Sequence, residues 1–222
     1  MNKVSKKLFS QLKNSAVIVH GKRTPIGCFM GNLKSFKATD LGSYTIKANL
    51  QETKLSSNDI DEVIMGNVLS SGLGQAPARI TALKSGLSSK TICTTVNKVC
   101  ASGMKSITMA SQNIELGHSN TIIAGGMESM SNAPHLVNMR GFQYGENKML
   151  DSIQFDGLSD GMTFSPMGNY AEKTVKDYKL TREEQDKYCM RSYENAIKTD
   201  FSSEIVGLEV KIEVKYEIIN KD

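Results

Sequence analysis

The stretch "TICTTVNKVCASGMKSITMASQNIELG" (Thr91–Gly117) changes its hydrophobic pattern at a cysteine. "TICTTV" (Thr91–Val96) is a short β-branched run of the kind that fills a buried strand. From Ala101 to Gly117 the sequence reads as a helix that a glycine closes. A strand feeding straight into a helix is half of a βαβ unit, and the flanking sequence repeats the alternation. "TIIAGG" (Thr121–Gly126) is a strand after the helix. Upstream, "DEVIMG" (Asp61–Gly66) reads as a strand and "APARITALKSG" (Ala76–Gly86) as a helix, with Pro77 suited to its first turn and Gly86 to its end. "TDLGSYTIKANLQ" (Thr39–Gln51) reads as a helix capped by Thr39 or Asp40. "AVIVHG" (Ala16–Gly21) reads as a buried strand closed by glycine. This alternation predicts an α/β fold, with a mostly parallel central sheet covered by helices on both faces.

From about Met130 the pattern changes. Gly, Asn, Asp and Met crowd "MRGFQYGENKMLDSIQFDGLSDGMTFSPMG" (residues 139–168), a long irregular excursion of the kind that usually carries function. "TREEQDKYCMRSYENAIK" (Thr181–Lys198) opens with a capping box, Thr181 answered by Glu184, and continues as a helix. "EIVGLEVKIEVKYEIIN" (Glu204–Asn220) alternates like half-exposed strands. The first 14 residues, "MNKVSKKLFSQLKN", carry four lysines and no acid. Val4, Leu8 and Leu12 share one helical face with Phe9 beside them. The segment reads as a mitochondrial targeting sequence or as a plain basic terminus.

With 222 residues, 39% of them apolar and 23% charged, the chain can build a sizeable core. Its net charge of +4 is mild and its lysines are scattered, which leaves no nucleic-acid footprint. No apolar run approaches the roughly 20 residues that cross a bilayer. The four cysteines, Cys28, Cys93, Cys100 and Cys189, lack CxxC spacing and follow no secretory signal, so reduced thiols fit better than disulfides or zinc. Three histidines, His20, His118 and His135, stand at no metal-ligand spacing.

Cys100 stands out by its place. At the first turn of a helix a thiol meets unpaired N–H groups and the positive end of the macrodipole, and both favour thiolate. Ala101, Ser102 and Gly103 are small and leave a substrate room to approach. The carboxyl end of a strand is also where α/β sheets place ligands. A small buried thiol is the competing reading of Cys100, and it is the one kept for Cys28, Cys93 and Cys189.

"NKVCASGMK" followed by "AGGMESMSNAP" resembles the thiolase family, and within it the acetyl-CoA acetyltransferases. "KRTPIGCFMGNLKSF", "GNVLSSGLGQAPAR", "DGLSD", "MGNYAEKTV" and "TREEQD" extend the resemblance in order from about Ser15 to Asp222. It implies a layered αβα N-terminal domain over 15–129 bearing the nucleophile, after a basic extension over 1–14. A loop domain and the start of the following strands would occupy 130–222. It implies that Cys100 attacks an acyl-CoA thioester and becomes the acyl-enzyme, its own N–H helping to hold the oxyanion. The family's base histidine, in a "GHP"-like stretch, and its second cysteine, in a "CxGGG"-like stretch, have no match here. The expectation is therefore that the C-terminal thiolase domain is absent.

Further residues are carried by the resemblance alone. Met167, in "PMG", matches a methionine near the acyl pocket and reads equally as local loop packing. Pro166 stands where acetoacetyl-CoA thiolases usually have histidine. Tyr193, in "RSYENA", matches a tyrosine at the coenzyme A and potassium site of potassium-activated relatives, and reads otherwise as an ordinary helix-face tyrosine. The implied activity is acetyl-CoA C-acetyltransferase, forming or cleaving acetoacetyl-CoA without a redox cofactor. The alternatives are a longer-chain 3-ketoacyl-CoA thiolase and a catalytically incomplete binding or structural protein. The resemblance implies a homo-oligomer, dimer or tetramer, with acyl-CoA as the small-molecule partner, in the mitochondrion or otherwise the cytoplasm.

Overall fold

The computed structural model describes residues 15–141, 144–212 and 215–222. The proposed targeting segment over 1–14 lies outside the described residues. The central strand, β1 (Glu62–Gly66), is buried along its whole length. It is buried because β2 (Ile92–Val96) pairs with it on one side and β3 (Ile122–Gly126) on the other, both parallel. Gly66 lies opposite Val96 and Gly126, so the three strands end level and their exit loops share one edge of the sheet.

Successive side chains of β1 point to opposite faces. Val63 and Met65 meet Ala38 and Ile46 of helix α1 (Ala38–Thr53) and Ala78 and Ala82 of helix α2 (Pro77–Lys84). Ile64, fully buried, and Gly66 face the other way, toward helix α3 (Ser102–Glu115). The chain runs from β1 through α2 to β2, then through α3 across β1 to β3. These crossovers run in opposite directions along the sheet. A common right-handed sense then puts α2 and α3 on opposite faces. The expected αβα layering follows.

Helix α3 inverts the usual amphipathic rule. It buries Ser102, Ser106 and Ala110 and leaves Met104 and Ile107 exposed. Small residues let it lie close on the strands: Gly103 stands 3.4 Å from the position a Gly126 Cβ would take. Ser106 Oγ lies 2.6 Å from Gly103 O and 2.7 Å from Gly125 O, which ties the helix to β3.

Several expectations need correction. "AVIVHG" is not a buried strand: Val17, Ile18 and Val19 are 75%, 84% and 77% exposed. A strand needs a paired neighbour, and among the described residues no strand lines the outer edge of β2 or β3. The segment is instead tethered by side chains, His20 Nδ1 to Asn49 Oδ1 at 2.8 Å and Lys22 Nζ donating to Ser203 O at 2.7 Å. Neither Thr39 nor Asp40 is the N-cap of α1. That place is held by Lys37, and Asp40, inside the first turn, accepts from the Lys37 N–H at 3.0 Å.

Beyond β3 come a two-residue strand pair, β4 (His135–Leu136) with β5 (Leu150–Asp151), and a π-helical turn at Ile153–Leu158. Helix α4 (Met167–Asp177) was not legible in the sequence, where "MGNYAEKTV" followed a glycine-rich run. Helix α5 (Arg182–Lys198) carries the expected capping box, Thr181 Oγ1 accepting from Glu184 N at 3.1 Å. The alternating tail forms an antiparallel hairpin, β6 (Leu208–Ile212) with β7 (Lys215–Ile219). Leu208 and Val210 pack on Leu33, Phe36, Leu41 and Tyr44.

Candidate active site

The exits of β1 and β2 lead to helices on opposite faces of the sheet, so a crevice opens between their carboxyl ends, where α/β sheets receive ligands. Asn67 leaves β1 there, and its N–H donates to Val96 O, the last residue of β2, at 3.0 Å. The turn that follows Val96 carries Cys100.

That turn is strained and tightly held. Val99 has φ +48°, a genuine outlier for a β-branched residue. Such a conformation costs about 1–3 kcal/mol and persists only when its surroundings determine it. Here Val99 N donates to Asn97 Oδ1 at 2.9 Å, while Ser102 Oγ donates to Val99 O at 2.6 Å and accepts from Lys98 N at 2.8 Å. Ser102 is therefore the buried clasp of the turn, beyond merely being small.

Cys100 sits two residues ahead of α3, whose N-cap is Ala101, rather than within the first helical turn. It is exposed and free, so its sulfur is accessible. Lys105 N closes the first helical hydrogen bond, to Ala101 O at 2.8 Å. Among the described residues no backbone carbonyl accepts from the Gly103 or Met104 N–H, so the start of α3 keeps two donors beside the sulfur's turn. Cys93 is half-buried on β2 with Sγ donating to Thr91 O at 3.4 Å; Cys28 and Cys189 are exposed and free. Among the described residues no hydrogen bond or ion pair joins a histidine to Cys100; His20 engages Asn49 and Glu52.

Glu128, from the exit of β3, reaches the exit loop of β1. Its carboxylate accepts from Val68 N at 2.9 Å, Leu69 N at 3.2 Å and Asn67 Nδ2 at 2.9 Å. Burial pushes its carboxyl above the ordinary glutamate range, against the opposing pull of those three donors. Asn67 is 2% exposed; its Nδ2 also donates to Met127 O at 3.1 Å, and its Oδ1 is buried without a partner. Sequence reasoning passed over Asn67, Asn97 and Glu128, and read Ser102 only as small. The available signal was position: Asn67 directly follows the strand-ending "MG", and Glu128 stands two residues past the strand-ending "GG".

Met167 is the first residue of α4 and half exposed; Tyr193 is 69% exposed on α5. Neither helix packs extensively on the sheet or on α3. Among the described residues no group of three or more His, Cys, Asp or Glu could hold a metal ion.

Comparison with known proteins agrees with this geometry. The family described as "Thiolase, N-terminal domain" matches residues 16–222. The mitochondrial acetyl-CoA acetyltransferase of Bos taurus is 45% identical over 213 residues, covering 94% of this chain and 50% of its own. The cytosolic acetyl-CoA acetyltransferase of Gibberella zeae is 48% identical over 198 residues, covering 87% of this chain and 50% of its own. A crystal structure of the Acat5 thiolase from Ascaris suum in complex with coenzyme A superposes with a TM-score of 0.81 at 41% identity, covering 90% of this chain and 52% of that one. The chain spans about half the length of the curated relatives it matches.

Proposed function

Since this chain belongs to the thiolase family, matching its N-terminal domain over residues 16–222, we propose that it carries the acyl-accepting half of an acetyl-CoA C-acetyltransferase, with Cys100 as nucleophile. The observation that carries the reading is the exposed Cys100 on a strained, multiply bonded turn at the ligand-receiving edge of a parallel sheet. The thiolate sulfur attacks the thioester carbonyl carbon, the carbon–sulfur bond to coenzyme A breaks, and the departing thiolate takes a proton. Two half-reactions replace one direct exchange. N–H groups at the turn would hold the oxyanion as it forms. Completing the cycle, by condensation to acetoacetyl-CoA or by thiolysis in reverse, calls for a base and a proton-transferring thiol. The resemblance assigns these to stretches with no match among these 222 residues.

Met167 is offered as an acyl-pocket wall and Tyr193 as a coenzyme A contact, on the resemblance alone. A potassium ion at Tyr193 rests on the same resemblance. Pro166, the N-cap of α4, favours a second reading, a thiolase of longer 3-ketoacyl chains. A homo-oligomer, dimer or tetramer, also rests on family likeness. A mitochondrial address rests on the basic first 14 residues, while the relatives divide between mitochondrial and cytosolic.

The test is intact-mass analysis of the acid-quenched protein after brief exposure to acetyl-CoA. One acetyl adduct is expected, mapping to Cys100 and lost in Cys100→Ala. An unmodified wild-type protein, or an adduct elsewhere, would sink the assignment and leave the binding or structural reading. Acylation rates across acyl-CoA chain lengths separate the acetyl enzyme from the longer-chain one.

A further inference from the structure

We propose that Glu128 is a positioning residue for the nucleophile, fixing the Cys100 turn through the exit loop of β1. The inference rests on the reading of Cys100 as acyl acceptor.

The connection can be followed bond by bond. Two oxygens of Glu128 take three N–H donors from consecutive residues, Asn67, Val68 and Leu69. Those residues are thereby held in one conformation, and from it two contacts reach the nucleophile's turn. Asn67 N donates to Val96 O at 3.0 Å, and Val68 O accepts from Asn97 Nδ2 at 3.4 Å. The other end of the Asn97 amide accepts from Val99 N, the strained residue next to Cys100. An amide that donates with one end and accepts with the other has a single orientation, so a shift of Val68 is passed to Val99.

A half-buried carboxylate needs a reason to be there, because burial disfavours its charge. Among the described residues Glu128 forms no ion pair, and its two oxygens are taken up by the β1 exit loop. Glutamine has nearly the same shape but offers one acceptor oxygen and an NH2 group that faces the donors of Val68 or Leu69. Glu128→Gln therefore removes charge, easing burial, and breaks the clamp. Overall stability and local geometry should separate, which a residue serving stability alone would not show.

Two measurements on the whole chain decide it. Amide hydrogen exchange reports the Val99 and Ser102 N–H groups directly. Single-turnover acetylation of Cys100 across acetyl-CoA concentrations separates maximal rate from half-saturation. In Glu128→Gln, exchange at Val99 should rise and the maximal acetylation rate should fall, each about tenfold, with half-saturation within about twofold. If either quantity stays within about twofold of wild type, the positioning role is overturned. Should Glu128→Gln fail to fold, Asn97→Ala, at an exposed position, removes the relay downstream and is held to the same two criteria. Should wild-type Cys100 take no acetyl group, the proposed function falls by itself, and exchange at Val99 and Ser102 alone decides the clamp.

Discussion

Gly66→Ala tests how closely the fold and the site depend on each other. A Cβ added at Gly66 would stand 2.5 Å from Ser102 C, 2.7 Å from Gly103 N and 2.8 Å from Ser102 Cβ. Ordinary carbon contacts lie near 3.5–4.0 Å, so the start of α3 must retreat by about 1 Å. Two of the three atoms are main chain, and no rotamer change relieves the clash. Overpacking of this kind costs about 1–3 kcal/mol. The retreat also stretches the 2.7 Å contact of Ser106 Oγ with Gly125 O. That bond is worth about 1 kcal/mol. The sum is roughly 2–4 kcal/mol, a large share of a marginal domain stability. Urea unfolding followed by circular dichroism reads it, and the corresponding fall in Tm is roughly 4–16 °C. The same retreat displaces Cys100, and a displacement of about 1 Å costs on the order of a hundredfold in rate. Gly168→Ala in α4 is the control, because nothing lies within 4 Å of its added Cβ. It should be neutral or slightly stabilising, since alanine outranks glycine in helices. A Gly66→Ala protein within about 0.5 kcal/mol of wild type and with normal acetylation would refute the close-approach argument.

Two further outcomes follow from single contacts. Ser106→Ala removes the tie between α3 and β3 and leaves the Gly125 carbonyl short of a donor. It should lower the unfolding free energy by about 1–2 kcal/mol with an unchanged denaturant slope, and a loss under about 0.5 kcal/mol would show the contact to be incidental. Asp160 accepts from Thr163 N at 2.7 Å, from Thr163 Oγ1 at 2.8 Å and from Met162 N at 3.1 Å, and these bonds, the Thr163 N–H first, hold its carboxyl below the ordinary 3.8. A depressed folded value means the turn's contribution is full above the ordinary carboxylate range and is lost as pH falls through the lowered one. The Met162 and Thr163 amide resonances should thus titrate below the midpoint of an unfolded aspartate, and a midpoint at or above 3.8 would contradict the geometry.

The sheet was legible because its strands announce themselves by composition and the helices α2 and α3 by the Pro or Gly that bounds them. Four of the six alternating segments upstream of Met130 that became α1–α3 and β1–β3 are bounded by Pro or Gly, whose backbone limits act locally. What defeated the reading of "AVIVHG" is that burial is a property of neighbours. A β-branched run is buried only where a paired strand accepts its hydrogen bonds, and residues 16–21 find none in the described structure. Helix α4 escaped for the opposite reason. Its surroundings supply an N-cap, Pro166, set by the Ser159–Pro166 bridge across the Asp160 turn, and no stretch of sequence alone displays that pairing.

The candidate site divides along the same line. Cys100 was legible because its strand and helix are contiguous with it in sequence. The residues that hold its turn come from three strand exits that only the sheet brings level: Asn67 after β1, Asn97 after β2 and Glu128 after β3. Each looks like an ordinary polar loop residue when read alone. Their proximity emerges from register, because Gly66, Val96 and Gly126 end their strands side by side and the loops that follow leave from one edge of the sheet. A polar residue within two positions of the end of each of several in-register parallel strands is therefore a site signal in itself. It becomes readable once the strand order is known, and the acetylation and exchange measurements on Glu128→Gln ask whether it has been read correctly here.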